Sequence, residues 1–276
     1  TESNGLTVDS VAVTVNEVTT DGTTPISAVV EDAAQSDIVR ATAGDVVLVV
    51  STGNLILNDG DSDGDVVSTA GAGSILIDAL AGSVTANADV SSGTGHITLK
   101  AGTSMTLTAS VDVSSAAAGT ISLNAEAGTL VMHSSATVSA TDSSARLAAS
   151  GNITLGSVNA DDVSVITSGG AIINASAAIT NVTAEYLRLA ADDAIGASNL
   201  HLNLNVDVLS ASSSGTDSAG IYLTESDGIA IDAVAVTVTE LESDSEDDTV
   251  TDSSQSDLTS GNSGNIVLVA TAGNIV

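Results

Sequence analysis

The sequence predicts an all-β fold: a parallel β-helix (β-solenoid) with about three short strands per coil of roughly 22 residues. Three observations lead there. Apolar and polar residues alternate through most segments, one G-x-I-x-L-x-A line recurs at near-constant spacing, and the opening of the chain returns near its end. Alternation sends successive side chains to opposite faces of a strand, whereas a helix needs apolar residues at i, i+3 and i+4.

The longest repeat comes first. Residues 1–18, TESNGLTVDSVAVTVNEV, return as TESDGIAIDAVAVTVTEL at 224–241, and GDVVLVVSTGNLI at 44–56 returns as GNIVLVATAGNIV at 264–276. The offsets are 223 and 220, so three residues are lost within the polar stretches 19–34 and 242–254, as a surface loop allows. Residues 1–223 therefore read as one long structural repeat of a continuous solenoid, and 224–276 as the start of the next. A window on a tandem array is expected to be scaffold rather than enzyme.

Shorter rungs lie inside this period. The lines GSILIDALAGSVTANADV from Gly73, GHITLKAGTSMTLTASVDV from Gly95 and GTISLNAEAGTLVMHSSATVSA from Gly119 start 22 and 24 residues apart. In each, a first strand puts Ile75 and Ile77, Ile97 and Leu99, or Ile121 and Leu123 on one face. Thr98, Lys100, Ser122 and Asn124 take the other face. A small residue follows (Ala79, Ala101, Ala125), then a glycine (Gly82, Gly102, Gly128), then a second strand from Val84, Met105 or Leu130. The third strand carries Ala88 and Val90, Val111 and Val113, or Ala136 and Val138. One coil cannot bury its own face. Stacked at about 4.8 Å, coils form columns such as Ile75–Ile97–Ile121, and each shields its neighbours.

The pattern restarts at Gly151 and continues through Val163 and Val165, Leu187 and Leu189, Leu200 to Val208, Ile221 and Leu223, and Ile229 to Val238. Reading all of these as rungs gives about ten coils per period and roughly 50 Å of axial length. No segment has helical periodicity. The aliphatic core suits a narrow interior, because the chain has no Trp or Phe and its only aromatics are Tyr186 and Tyr222.

Charge narrows the partners. With 35 Asp and Glu against 4 Lys and Arg, a net charge of −31 repels nucleic acids and anionic membrane surfaces. Positive mean hydropathy and regular alternation argue against disorder. No apolar run approaches the roughly 18 residues of a membrane span. The absence of cysteine removes disulfides, thiolate metal sites and cysteine nucleophiles together, and is neutral on compartment.

The G-x-I-x-L-x-A…G-x-[ILVM]-x-[LAV] line, together with AADDAIGASNLHLNLNVDVLSA…GIYLTESDGIAI at 190–231, resembles repeats of giant bacterial surface exoproteins and adhesins related to filamentous haemagglutinins. The resemblance covers most of the chain. It implies export to the extracellular space or cell surface, a long solenoid shaft, and roles in adhesion, aggregation or filament building. The expected partners are copies of the chain or adjacent repeats end to end, with other cells or glycans as the adhesin alternative. Adhesin loops are expected to carry aromatic or Arg anchors, and their near absence favours the shaft.

One segment carries candidate chemistry. In NDGDSDGD at 58–65, Asp59, Asp61 and Asp63 with Gly64 fit the opening of a D-x-D-x-D-G calcium loop, and Asp65 offers a fourth carboxylate. The Glu expected at position 70 is Ala, so a solvated acidic turn is the competing reading. No cofactor is required, and calcium is the candidate ligand of this turn. A second acidic cluster, Glu240, Glu242, Asp244, Glu246, Asp247 and Asp248, reads as a solubilising loop, since its counterpart at 17–32 holds only Glu17, Asp21, Glu31 and Asp32. His96, His133 and His201 read as surface residues. No serine-nucleophile motif occurs, and Arg40, Lys100, Arg146 and Arg188 are scattered rather than grouped to hold an acidic polysaccharide. Paired aspartates such as Asp161 and Asp162 are what a glycosidase reading has to offer. The expectation is a non-enzyme.

Overall fold

The computed structural model describes residues 1–16, 29–215, 220–261 and 264–276. The described residues form strands joined by turns, with no helix. The strands stack in parallel into a β-solenoid-like architecture, at a spacing of 18 to 29 residues between successive rungs from Val46–Val50 to Leu202–Ser213.

Each coil presents three faces. The first face runs through Val46–Val50, Ile75–Ala79, Ile97–Ala101 and Ile121–Ala125, then through the later halves of Thr137–Ala149, Ser157–Thr167, Val182–Ala191 and Leu202–Ser213. The second face stacks Leu6–Val8, Leu55–Leu57, Val84–Ala86, Met105–Leu107, Leu130–Met132, Ile153–Leu155 and Ile172–Asn174. The third runs from Ile38–Arg40 through Asp65–Thr69, Asp89–Ser92 and Asp112–Ser115 into the early halves of the long strands. Asp142, at φ 52°, turns the strand 137–149 from the third face onto the first, a left-handed conformation that Asp tolerates better than most residues.

The register matches the sequence pattern. Ile75 pairs with Ile97 and Ile97 with Ile121, and all three are fully buried. Met105 lies between Val84 and Leu130, and Val113 between Val90 and Val138. The resulting core is one continuous aliphatic column. Buried hydroxyls close each coil at the end of the third strand: Ser92 Oγ donates to Gly73 O at 2.8 Å and Ser115 Oγ to Gly95 O at 3.0 Å. Glycine is required at the start of the first strand because successive rungs nearly touch there. A Cβ on Gly95 would collide with the carbonyl oxygen of Gly73, and one on Gly119 with that of Gly95.

Two elements leave the stack. Val11–Asn16 pairs antiparallel with Val29–Gln35, and Val234–Leu241 with Asp247–Gln255. We call these hairpins arm 1 and arm 2. Val234, Val236 and Val238 are therefore not rungs, as alternation alone suggests; they belong to an arm laid along the solenoid axis, across its first face. With those residues spent on arms, the first face has eight rungs between Val46–Val50 and Leu202–Ser213 rather than ten per period.

The segments that echo in sequence also pair alike. Leu6 pairs with Leu55 as Ile229 bridges to Ile275, and Glu2 bridges to Val50 as Glu225 pairs with Ala270. The later copy is turned about the axis. Ile266–Ala270, counterpart of the strand that opens the first face, stacks on Ile221–Glu225, which itself sits on the second and third faces. Leu258–Ser260, counterpart of Ile38–Arg40, stacks on the first face instead.

Candidate functional site

The acidic turn at 58–65 joins the second face to the third, so its backbone leaves the ladder and must find other hydrogen-bond partners. The aspartates supply them. Asp59 accepts from Asp61 N at 3.1 Å and Ser62 N at 2.6 Å through Oδ1, and from Gly64 N at 3.0 Å through Oδ2. Asp61 Oδ1 accepts from Asp63 N, and Asp63 Oδ1 from Asp65 N, each at 3.1 Å. Ser62 and Gly64 take positive φ, which folds the loop tightly enough to bring alternate carboxylates together.

Asp37 joins Asp59, Asp61 and Asp63: one carboxylate oxygen from each lies within 4.8 Å of the others. Asp37 reaches the group from the turn after arm 1, with φ 55°, and its Oδ1 accepts from Gly60 N at 3.2 Å. Asp65 stands apart from that group. It lies on the third face, its Oδ1 accepts from Ser91 Oγ at 3.3 Å, and burial raises its pKa. Four oxygens from four carboxylates suit a hard divalent cation such as calcium, which prefers oxygen ligands and tolerates irregular geometry. Asp37 was missed because it is 22 residues from Asp59. The signal available was the recurrence of QSD at 35–37 and 255–257; in the structure Asp37 and Asp257 both take positive φ.

The second acidic cluster divides: Asp244, Glu246, Asp247 and Asp248 are exposed, as a solubilising loop requires, whereas Glu240 and Glu242 are tied to the coils. Glu240, on the first strand of arm 2, is buried against the first face, where Oε1 accepts from Ser122 Oγ at 2.6 Å and Oε2 lies 2.9 Å from Lys100 Nζ. Glu242 pairs with the same ammonium at 2.6 Å. Further along the arm, Asp252 Oδ2 meets Arg146 Nε at 3.0 Å, and the Ser253 carbonyl accepts from Arg188 Nε at 3.2 Å. Three cations that are scattered in sequence are thus gathered on the first face under one acidic hairpin. Burial lowers the Arg188 pKa, and its Nη1 has no hydrogen-bond partner among the described residues. Apolar contacts complete the seat: Leu241 packs on Leu76, Val49 and Val47. Thr98 and Ser122, which alternation places on an outer face, are fully covered here. Glu17, Asp21 and Pro25 lie outside the described residues.

The remaining polar groups have local partners. His96 Nδ1 lies 2.9 Å from Thr120 Oγ1, His133 Nδ1 2.9 Å from Ser135 Oγ, and His201 Nδ1 2.9 Å from Thr224 Oγ1. His133 is exposed, and the other two are half-buried. Asp161 is exposed and lines a hollow of about 360 Å³ with Asp142 and Glu185, among small residues and without a basic or aromatic side chain. Its neighbour Asp162 is half-buried, accepts from Ser144 Oγ at 3.4 Å, and has its pKa raised by burial.

No helix among the described residues is long and apolar enough to cross a membrane. Compared with known proteins, the chain matches no family model, no curated protein and no solved structure.

Proposed function

We propose that the protein is a structural repeat segment of a bacterial extracellular or cell-surface filament or giant exoprotein, and that it provides an elongated, stiff shaft stacking end to end. The observation that carries this reading is the unbroken aliphatic column combined with the like pairing of residues 1–57 and 224–276. Stability in such a stack is a sum over coils and their interfaces, so length is gained without a new core. Residues 1–223 act as one period and 224–276 as the foundation of the next.

The surface chemistry agrees with that role. Carboxylates without grouped exposed cations keep parallel shafts apart by charge, while the few cations are spent holding arm 2 to its coils. Calcium bound by Asp37, Asp59, Asp61 and Asp63 would brace the turn beside arm 1 against carboxylate repulsion. The test is binding of the isolated protein to cells and glycan arrays. The shaft reading expects no saturable binding; saturable binding of one glycan class would replace it with the adhesin reading.

A further inference from the structure

Arm 1 carries an exposed apolar row. Val11, Val13 and Val15 are 64, 50 and 52% exposed, and Asp32 and Gln35 on its second strand are exposed too. Val11, Val13, Asp32 and Gln35 line a hollow of about 380 Å³. Single exposed apolar residues need no explanation, but three in a row on one strand do.

The same chain shows what covers such a row. Arm 2 repeats arm 1 in sequence and in register: Val11 pairs with Gln35 as Val234 does with Gln255, Val13 with Asp32 as Val236 with Asp252, and Val15 with Val30 as Val238 with Val250. Both hairpins carry an irregularity at the same step, between the first and second of these pairs. In arm 2 the counterpart valines Val234, Val236 and Val238 are each 1% exposed, seated on the first face of the coils before them. The polar contacts are equally specific. Thr120 Oγ1 donates to Thr239 O at 2.6 Å and accepts from Thr239 N at 3.0 Å; Asp252 binds Arg146, and Gln255 Nε2 donates to the Leu189 carbonyl at 2.9 Å. Asp32 and Gln35 stand at the positions of Asp252 and Gln255, so arm 1 holds the same groups with no seat beneath them.

From this twin we propose that arm 1 is a docking clasp whose partner is the first face of a second copy of the long period, joined ahead of Thr1. Its valines would cover that copy's face, Asp32 would meet its Arg146, and Gln35 its Leu189 carbonyl. The proposal rests on the shaft reading and adds the device that locks one period to the next. It also accounts for the uneven placement of cations: Lys100, Arg146 and Arg188 form the seat for the next period's acidic arm. In the 276-residue chain that seat is already filled by arm 2, so separate molecules have no vacant first face to offer one another.

The test uses single cysteines in a chain that has none. Val13→Cys and Val236→Cys are made separately in the full chain, and Val13→Cys is also made in the full chain with a second copy of residues 1–223 fused ahead of Thr1. Maleimide labelling of V236C should be slow and that of V13C fast, at a rate independent of protein concentration. The fusion should slow V13C labelling roughly tenfold or more, to the range of V236C, because reaction then requires local opening of the docked arm. Arg146→Glu in the leading copy should restore fast labelling, and adding Asp32→Arg in the following copy should slow it again. V13C rates within about twofold with and without the fusion, while V236C stays protected, would overturn the proposal. Solution scattering of the fusion separates the two ideas: a lengthened particle with a reactive V13C ends the clasp and leaves the shaft, whereas a particle that has not lengthened ends the shaft.

Discussion

Lys100 Nζ lies 2.9 Å from Glu240 Oε2 and 2.6 Å from Glu242 Oε1, tying a coil to a hairpin more than half the chain away. Burial alone would lower the lysine pKa, but the hydrogen bonds its ammonium donates to Glu242 and Glu240 outweigh it and leave the value raised. Removing one partner leaves a charge covered and unpaired, which costs more than removing both. Lys100→Met should therefore weaken arm 2 by about 2–4 kcal/mol, and Lys100→Met with Glu240→Met should recover most of the loss. Hydrogen exchange at Val234–Leu241 measures this directly. Equal loss in the single and double variants would count against the pair.

Asp78 gives the first face a pH dependence. Burial chiefly raises its pKa to about 6; Lys100 opposes the rise, and Glu126 and Glu242 add to it. The folded state therefore holds a proton that the unfolded chain, with a carboxyl near its ordinary 3.8, has already released. The group is best tolerated below about 3.8, where both states are protonated, and that stability is lost as pH rises through 6 and the covered carboxyl ionises. Asp78→Asn should stabilise by roughly 1 kcal/mol at pH 7, a figure reduced for the side chain's partial exposure, and should be close to neutral at pH 4. Thermal melts of both proteins at the two pH values test this, and an equal effect at both would contradict it.

The acidic turn yields a calcium prediction that differs from the sequence motif. Titration calorimetry should find a site in the range of about 10⁻⁴–10⁻³ M, typical of extracellular modules. Asp37→Ala and Asp61→Ala should each abolish the heat, while Asp65→Ala should leave it largely intact, because Asp65 is bonded to Ser91 instead. Heat that survives Asp37→Ala would show that the loop alone suffices.

The core makes a plainer demand. Leu99 is fully buried between Ile77 and Leu123, so Leu99→Ala leaves a cavity that two flanking rungs cannot fill. The cost should be about 2–5 kcal/mol, read as a lower midpoint in denaturant. Thr103→Ala in the following exposed turn should change little.

What the sequence disclosed and what it hid follow from the reach of the interactions. The column Ile75–Ile97–Ile121 was legible because each rung repeats the one before, so a one-dimensional pattern states the neighbour in space. The arms were not, because VAVTV alternates with the same period whether it joins a parallel rung or an antiparallel hairpin. Asp59, Asp61 and Asp63 were legible as a local motif; Asp37 was not, because it arrives through the stacking of a different coil. The cations looked scattered for the same reason. Lys100, Arg146 and Arg188 lie 46 and 42 residues apart, which is two rungs each time on the first face.

The most direct test of the stacked shaft is the length gained per period in solution scattering. Eight rungs at about 4.8 Å imply that adding one copy of residues 1–223 extends the particle by roughly 40 Å at constant cross-section. A particle that thickens or compacts without lengthening would contradict the account.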